Sequence, residues 1–112
     1  MAANLFSLGK VTVPIPGTPV ALTVPTTINP PSVHAILIEV LATNTGKIYI
    51  GLAGLNKTTL AGVLIVLAVP TANSLPTFSI AVTQAANALS LPQLRFDVDN
   101  ANDGVLVSGI VA

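Results

Sequence analysis

The sequence contains no cysteine and very few charged residues. The absence of cysteine from all 112 residues excludes a disulfide scaffold, a thiol enzyme and a zinc site built on thiolates. Charged residues make up 7% of the chain, against about 25% in an ordinary soluble domain. Four basic residues balance four acidic ones, so we expect no nucleic-acid partner. The 52% hydrophobic content argues against a disordered chain.

Long apolar runs are also missing. The longest, residues 60–69, has ten residues and ends at Pro70, whereas a membrane-spanning helix needs about 20. The other dense stretch, residues 33–42, contains His34 and Glu39. The amino terminus lacks the basic start and continuous apolar stretch of a signal peptide. We therefore expect no membrane partner.

The periodicity of the chain is that of strands. Residues 33–42 alternate between two largely apolar faces, which predicts a strand covered on both sides. Further β-branched runs predict strands at residues 9–13, 19–24, 47–52, 63–69, 77–82, 93–98 and 104–111. Nine prolines, mostly between these runs, leave little room for helices. The fold class predicted is all-β: residues 1–112 form a single-domain β-sandwich or jelly-roll-like barrel of about eight strands.

Two segments are open to a second interpretation. The first thirty residues contain five prolines and fit an extended arm as well as a pair of strands, and residues 1–16 are the candidate N-terminal arm. Residues 82–90 are rich in alanine and are predicted as a long loop or a single turn of helix.

The predicted solvent-facing positions are unusually apolar. They hold mainly Thr, Ala and aliphatic residues instead of Lys, Glu, Asp or Arg. An isolated monomer of this kind exposes apolar patches and uncharged strand edges, both of which favour association. We therefore expect much of this surface to contact copies of the chain or a partner, as in obligate interfaces.

An acidic cluster near the carboxyl terminus, residues 97–104, is the sharpest candidate for a binding site. Its oxygen ligands could hold Ca²⁺, but the EF-hand pattern fails. With Gly104 at the sixth position of such a loop, Ala101 occupies the third and Ile110 the twelfth, where a bidentate Glu belongs. A hairpin turn is the favoured interpretation, and a calcium site formed by Asp97 to Asp103 is the alternative.

The hairpin interpretation makes specific predictions about side-chain direction. Alternation along residues 93–98 places one set of side chains inward, namely Leu94, Phe96 and Val98, and another outward, namely Arg95, Asp97 and Asp99. Asp103-Gly104 supplies residues that tolerate positive φ in the turn.

No constellation of catalytic residues is recognisable. His34 is the only histidine, and there is no Gly-x-Ser-x-Gly motif to supply a nucleophile. Glu39 lies five residues along the same predicted strand and projects from the opposite face. We assign no catalytic, cofactor-binding or metal-binding residues, expect no cofactor, and expect a protein that is not an enzyme.

Two stretches carry a resemblance to a known class of proteins. Residues 42–51 (ATNTGKIYIG) and 94–107 (LRFDVDNANDGVLV) resemble small β-rich virion proteins of tailed bacteriophages, and residues 11–13 and 17–22 are similar to the start of such chains. The resemblance implies a structural virion protein of the capsid decoration or cement type, located on the capsid surface and in the host cytoplasm during assembly. Its partners are then the major capsid protein or other virion proteins.

Several alternatives remain at the level of sequence. A tail, neck or baseplate component fits the same residues, and so does a carbohydrate- or receptor-binding β-sandwich module. We expect a homo-oligomer, with a trimer favoured. The strand edges and the N-terminal arm are the candidate contact surfaces, so deletion of residues 1–16 is expected to weaken attachment more than it disturbs the fold.

Overall fold

Strands dominate the residues described by the computed structural model, which are 4–24, 32–81 and 89–111. These residues also include a single turn of 3₁₀ helix, Leu91–Gln93. The strands are β1 (Asn4–Thr12), β2 (Val20–Ala21), β3 (Ser32–Val33), β4 (Ala35–Val40), β5 (Ile48–Gly51), β6 (Val63–Leu67), β7 (Thr77–Ala81), β8 (Leu89–Ser90), β9 (Arg95–Val98) and β10 (Gly104–Val111). Each predicted strand has a counterpart, and β3 and β8 add a short pair.

The strands form two antiparallel four-stranded sheets. Sheet A has the order β1-β10-β4-β7, and sheet B has the order β2-β9-β5-β6. When the short pair β3-β8 is left aside and the other eight strands are numbered along the chain, the orders become 1-8-3-6 and 2-7-4-5. This is the strand order of a jelly roll, in which two Greek keys form a double sheet. The predicted β-sandwich is confirmed.

Alternating side chains of the two sheets build the core. Phe96 is the largest of the fully buried side chains, and it lies on the inner face of sheet B. Facing it across the sandwich are the inward residues of β4 and β10, which pair with one another across the two strands. The buried inward residues of the four central strands are Ile36, Ile38, Val40, Val105 and Val107 on β4 and β10, and Ile48, Ile50, Phe96 and Val98 on β5 and β9.

Strand β4 is covered on one face only within the single chain, which corrects the expectation of a strand covered on both sides. Ile36, Ile38 and Val40 are buried, whereas Leu37 is 45% exposed and lies on the outer face. A bend at His34 separates β3 from β4 and interrupts the alternation, so that Val33 is buried as well. The inner face of β4 therefore lies in the core, whereas its outer face is partly exposed to solvent.

The candidate N-terminal arm is in large part a strand. Of residues 1–16, residues 4–12 form β1, which pairs with β10 from Asn4↔Val111 to Thr12↔Gly104. This part of the segment is an edge strand of sheet A and does not extend away from the sandwich. Of the alanine-rich segment 82–90, residues 82–88 lie outside the described residues, and Leu89–Ser90 form β8.

Candidate functional site

The acidic cluster belongs to a corner where the chain crosses between the two sheets. Strand β9 lies in sheet B and β10 in sheet A, so residues 99–103 connect two sheets and do not form the predicted hairpin. Residues 41–47 make the same kind of crossing from β4 to β5. The two connections lie side by side, and the backbone N–H of Asp99 donates to the carbonyl of Lys47 at 3.2 Å. We call residues 41–47 and 99–104 the corner cluster.

Asn44 links the two crossings through its side chain. Its Nδ2 donates to the carbonyl of Gly104 at 2.8 Å, and the N–H of Gly104 donates to its Oδ1 at 2.9 Å. The side-chain amide of Asn44 thus forms hydrogen bonds with both the N–H and the carbonyl of Gly104, as the backbone of a neighbouring strand would. Asn44 is buried, so these bonds form in a place where water cannot replace them.

Asp103 holds the same corner through its carboxylate. Its Oδ2 accepts hydrogen bonds from the N–H groups of Thr45 at 3.0 Å and Gly46 at 2.8 Å. The carbonyl of Asp103 also accepts from Val13, which ties the turn to the loop after β1. This carboxylate is buried and engaged with the backbone.

The conformation of the turn differs from the prediction. The residue with positive φ is Asn102, at 68°, and neither Asp103 nor Gly104 has a positive φ. Gly104 is required for another reason: a Cβ at this position would collide with the carbonyl oxygen of Val11 on the neighbouring strand. Asparagine tolerates the left-handed region because its short side chain can bond locally, so the turn signal in the sequence lies one residue earlier than expected.

Asp97 points to the outer face of sheet B, as the alternation predicts, but it is not exposed. Only 1% of its surface is accessible. Its Oδ1 accepts from the N–H of Gly17 at 2.9 Å and from that of Val98 at 2.8 Å. The segment that contains Gly17 folds back over the sheet, and together with residues 55–58 it forms a small polar pocket of about 170 Å³ over the carboxylate. The predicted outward direction of Asp97 is therefore found, and its burial is an addition that the alternation does not address. Leu94, Phe96 and Val98 are buried as predicted.

Asp99 is the exposed carboxylate of the acidic cluster. Lys57 Nζ lies 3.6 Å from its Oδ1 and donates to the carbonyl of Val98 at 2.7 Å. Partial burial raises the pKa of the Tyr49 hydroxyl above its usual 10.0, and the hydrogen bond to Asp99 and the negative charges of Asp99 and Asp97 add to this effect. Asp99 therefore forms an ion pair with Lys57 at the surface and a hydrogen bond with the hydroxyl of Tyr49.

The carboxylates do not converge as metal ligands. Among the described residues, which include the one histidine and all four acidic residues, no group of three or more such side chains is placed to hold a metal ion. Asp97 and Asp103 each direct an oxygen at two backbone N–H groups. His34 lies in the bend before β4 and Glu39 near the far end of that strand, so the two are not brought together.

A second feature is the outer face of sheet A, defined here by its three cross-strand rows in the strand order β1, β10, β4, β7. The first two rows contain only uncharged side chains, and the third contains Lys10 and Glu39. The rows are Leu5, Ile110, Ala35 and Ala81; Ser7, Ser108, Leu37 and Ser79; and Lys10, Leu106, Glu39 and Thr77. Three leucines of this face are exposed, and the accessible fraction of Leu5 reaches 84%.

A shallow groove of about 390 Å³ lies on this outer face. Small residues line it, including Ala35, Ser79 and Ala81, together with larger apolar side chains such as Leu5 and Leu37. The sequence predicted apolar outward positions. It did not reveal which of them share a row, because that depends on the pairing of strands distant in the chain.

A third feature is the exposed edge at β6. Among the described strands, β6 has a hydrogen-bonded neighbour on one side only, β5. Exposed apolar side chains lie on this strand and in the loop before it. We call them the β6 edge: Leu52, Leu60, Leu64 and Val66. The apolar run of residues 60–69 is therefore in part a surface, and the core receives Leu67 from it.

All four aromatic side chains lie in the described ranges, and none of them is exposed. Phe96 is buried, and Phe6, Tyr49 and Phe78 are half-buried. Phe6 and Phe78 pack against the core. A platform of aromatic rings for stacking on sugars is therefore not formed by these residues.

The chain was compared with protein-family models, with curated proteins and with solved structures, and none of them matches it. In the part of the chain that the structure describes, no helix has the length and apolar character needed to cross a membrane.

Proposed function

We propose that the chain is a structural protein of a virus particle, of the capsid decoration or cement type, bound to the major capsid protein or to another virion protein. The observation that carries the proposal is the presence of two separate exposed apolar surfaces, the outer face of sheet A and the β6 edge, on a chain with 7% charged residues. Apolar surfaces of this kind favour association. A chain that carries two of them is suited to contact two neighbours at once.

The fold is consistent with this proposal. Jelly rolls occur in viral capsid proteins, and also in lectins and cupins, so the fold alone does not decide the function. The resemblance to small virion proteins rests on residues 42–51 and 94–107, and these two stretches meet in the corner cluster through Asn44, Gly46, Asp103 and Gly104. The resembling residues therefore support the sandwich by joining its two crossing connections.

The β6 edge is the surface that we assign to the particle. An edge strand with one neighbour can accept a further strand, whose backbone supplies hydrogen bonds while apolar side chains supply burial. Leu64 and Val66 lie on this strand and are exposed. Lys and Pro, the residues that commonly protect an edge, are absent from β6 itself.

The function that follows is mechanical. Copies bound at junctions of the shell stabilise the closed state over the opened state, because a ligand that binds one state favours it by mass action. A tail, neck or baseplate component would use the same contacts, but it would form rings or tubes in place of a lattice-wide coat.

The experiment is quantitative mass spectrometry of gradient-purified particles from cells that produce the chain. We expect the chain at a fixed ratio to the major shell protein, and we expect it to remain after a wash in about 1 M NaCl, because salt screens charge pairs and does not weaken apolar contacts. A copy number limited to a ring would indicate the tail or neck, and absence from the particles would contradict the proposal.

A matched pair of variants tests the assigned surface. Leu64→Lys places a charge on the β6 edge and is expected to reduce occupancy on the particles. Ile15→Lys makes the same change at an exposed aliphatic residue in the loop after β1, 61% accessible, and is expected to leave occupancy unchanged. Equal occupancy of both variants would remove the β6 edge from the proposal.

A further inference from the structure

Two pairs of residues are placed symmetrically about strand β10 on the outer face of sheet A. Lys10 on β1 and Glu39 on β4 both pair with Leu106, one from each side. Leu5 and Ala35 flank Ile110 in the same way. Since neighbouring strands lie about 4.8 Å apart, the members of each pair are at equal distances from β10.

This placement makes the face complementary to itself. If a second copy is turned by 180° about an axis that runs along β10 between the two faces, β1 of each copy lies over β4 of the other. Lys10 of one copy then lies opposite Glu39 of the second copy, and the reverse pair forms by symmetry. Leu5 lies opposite Ala35 of the second copy, and Leu106 meets its own equivalent at the axis.

We propose that the outer face of sheet A is the interface of a two-fold symmetric homodimer, with β10 of each copy along the axis. The occupant of this face is a second copy of the chain. The proposal does not rest on the role in a virus particle, because it uses only the shape and charge of this face.

The side chains that the rotation places opposite each other are complementary in size as well as in charge. Leu5, with 84% of its surface accessible, is the most exposed of the large hydrophobic residues among the described parts of the chain. The same rotation that joins Lys10 to Glu39 directs Leu5 at Ala35, which lines the groove of about 390 Å³ together with Ser79 and Ala81. A projecting leucine therefore meets a row of small residues, and one rotation satisfies both the steric and the electrostatic match.

The available area fits a dimer that dissociates on dilution. With β10 on the axis, the strands that face the second copy are β1, β10 and β4, and β7 lies beyond the overlap. Three strands about 4.8 Å apart, of which β4 has six residues and β10 eight, at about 3.3 Å per residue, give a facing area of roughly 300–400 Å². Two copies would bury about 600–800 Å², which is smaller than most stable interfaces, so we expect a weak, reversible dimer with a dissociation constant in the upper micromolar range.

The first test measures mass in solution by sedimentation and by light scattering, from about 1 to about 500 µM, the range in which such an interface dissociates. The wild-type chain is expected to pass from monomer to dimer. A protein that stays monomeric throughout, or forms the trimer favoured from the sequence, would overturn the proposal. The particle experiment is independent, so failure of either proposal can be seen separately.

Charge reversal identifies the interface. Lys10→Glu or Glu39→Lys places like charges opposite each other at two symmetric sites and is expected to raise the dissociation constant about tenfold or more. The double variant Lys10→Glu/Glu39→Lys restores opposite charges and is expected to restore dimerisation. Lys47→Glu, at an exposed lysine outside the outer face, is the matched control and is expected to dimerise normally.

A steric variant tests the same face without charge. Ala35→Leu fills the groove where Leu5 of the second copy is placed, and it is expected to abolish the dimer while the far-ultraviolet circular dichroism of the monomer stays unchanged. Dimerisation that survives Lys10→Glu, Glu39→Lys and Ala35→Leu would show that copies associate elsewhere, and the proposal would be wrong.

Discussion

The side chain of Asn44 pairs with the backbone of Gly104 as one strand pairs with another, through two hydrogen bonds of 2.8 and 2.9 Å. Sixty residues separate the two in the chain. The contact joins the two connections that cross between the sheets, and so it fixes where sheet A meets sheet B. The corner cluster is therefore expected to contribute strongly to stability.

Asn44→Ala is expected to lower the free energy of unfolding by about 1–3 kcal/mol, because it leaves the buried N–H of Gly104 without a partner, while the carbonyl of Gly104 keeps the hydrogen bond from the N–H of Leu41. Urea denaturation followed by circular dichroism measures the change. Asn100→Ala is the control: Asn100 is exposed and its side chain donates to the Thr45 hydroxyl at 2.9 Å, so a loss of about 1 kcal/mol or less is expected. Equal losses for the two variants would contradict the role assigned to Asn44.

Asp103→Ala is expected to destabilise the protein by about 2–4 kcal/mol, since the N–H groups of Thr45 and Gly46 lose their acceptor. Asp99→Ala, which removes an exposed ion pair with Lys57, is expected to cost about 1 kcal/mol or less. Thermal unfolding of both variants measures the difference.

The same measurement addresses calcium. Because the buried carboxylates of Asp97 and Asp103 bond to backbone N–H groups, we expect the melting temperature of the wild-type protein to be the same with excess Ca²⁺ and with a chelator. A rise in the melting temperature with Ca²⁺ that disappears in Asp103→Ala would instead establish the calcium site considered from the sequence.

The strands could be predicted from the sequence because their signal is local. Alternation with a period of two, together with proline and glycine at the boundaries, indicated the strands now seen as β4, β5 and β10 with small differences at their ends. The same signal correctly placed Phe96 and Val98 in the core.

The features that could not be predicted depend on contacts between distant parts of the chain. Alternation gave the direction of Asp97, but its burial depends on the segment around Gly17, eighty residues away. The turn before Gly104 was interpreted as a hairpin because its residues suit one. The two strands that it joins belong to different sheets. No local sequence pattern distinguishes a hairpin turn from a connection between two sheets. The symmetric placement of Lys10 and Glu39 likewise requires the register of three strands.

Tyr49 makes stability depend on alkaline pH. Its pKa is raised in the folded protein, so between the unfolded value of 10.0 and the higher folded value the folded state holds a proton that the unfolded state has lost. Stability is therefore fully present below about pH 10 and falls as the pH rises through the folded pKa. Tyr49→Phe has no ionisable hydroxyl and is expected to lose less stability from about pH 9 to about pH 11. Parallel slopes for the two proteins, in urea titrations across this range, would contradict the raised pKa.

Removal of residues 1–12 is expected to unfold the protein, in contrast to the separable arm considered from the sequence. Strand β1 pairs with β10 along its length, and its inward side chains Phe6, Leu8 and Val11 pack against the core. The ring of Phe6 also covers Gly109, where a Cβ would approach it to 2.8 Å. Loss of three apolar side chains from the core costs more than about 5 kcal/mol, which is comparable with the whole stability of a small domain.

The deletion has a control that keeps the backbone of β1. Leu5→Ser changes an exposed, outward side chain and is expected to leave the free energy of unfolding unchanged within about 0.5 kcal/mol when measured at low protein concentration. The truncated chain is expected to show no cooperative unfolding transition and to aggregate, because the edge of β10 is then exposed. If the truncated chain instead stays soluble and unfolds cooperatively near the wild-type midpoint, β1 is dispensable for folding and the arm interpretation is restored.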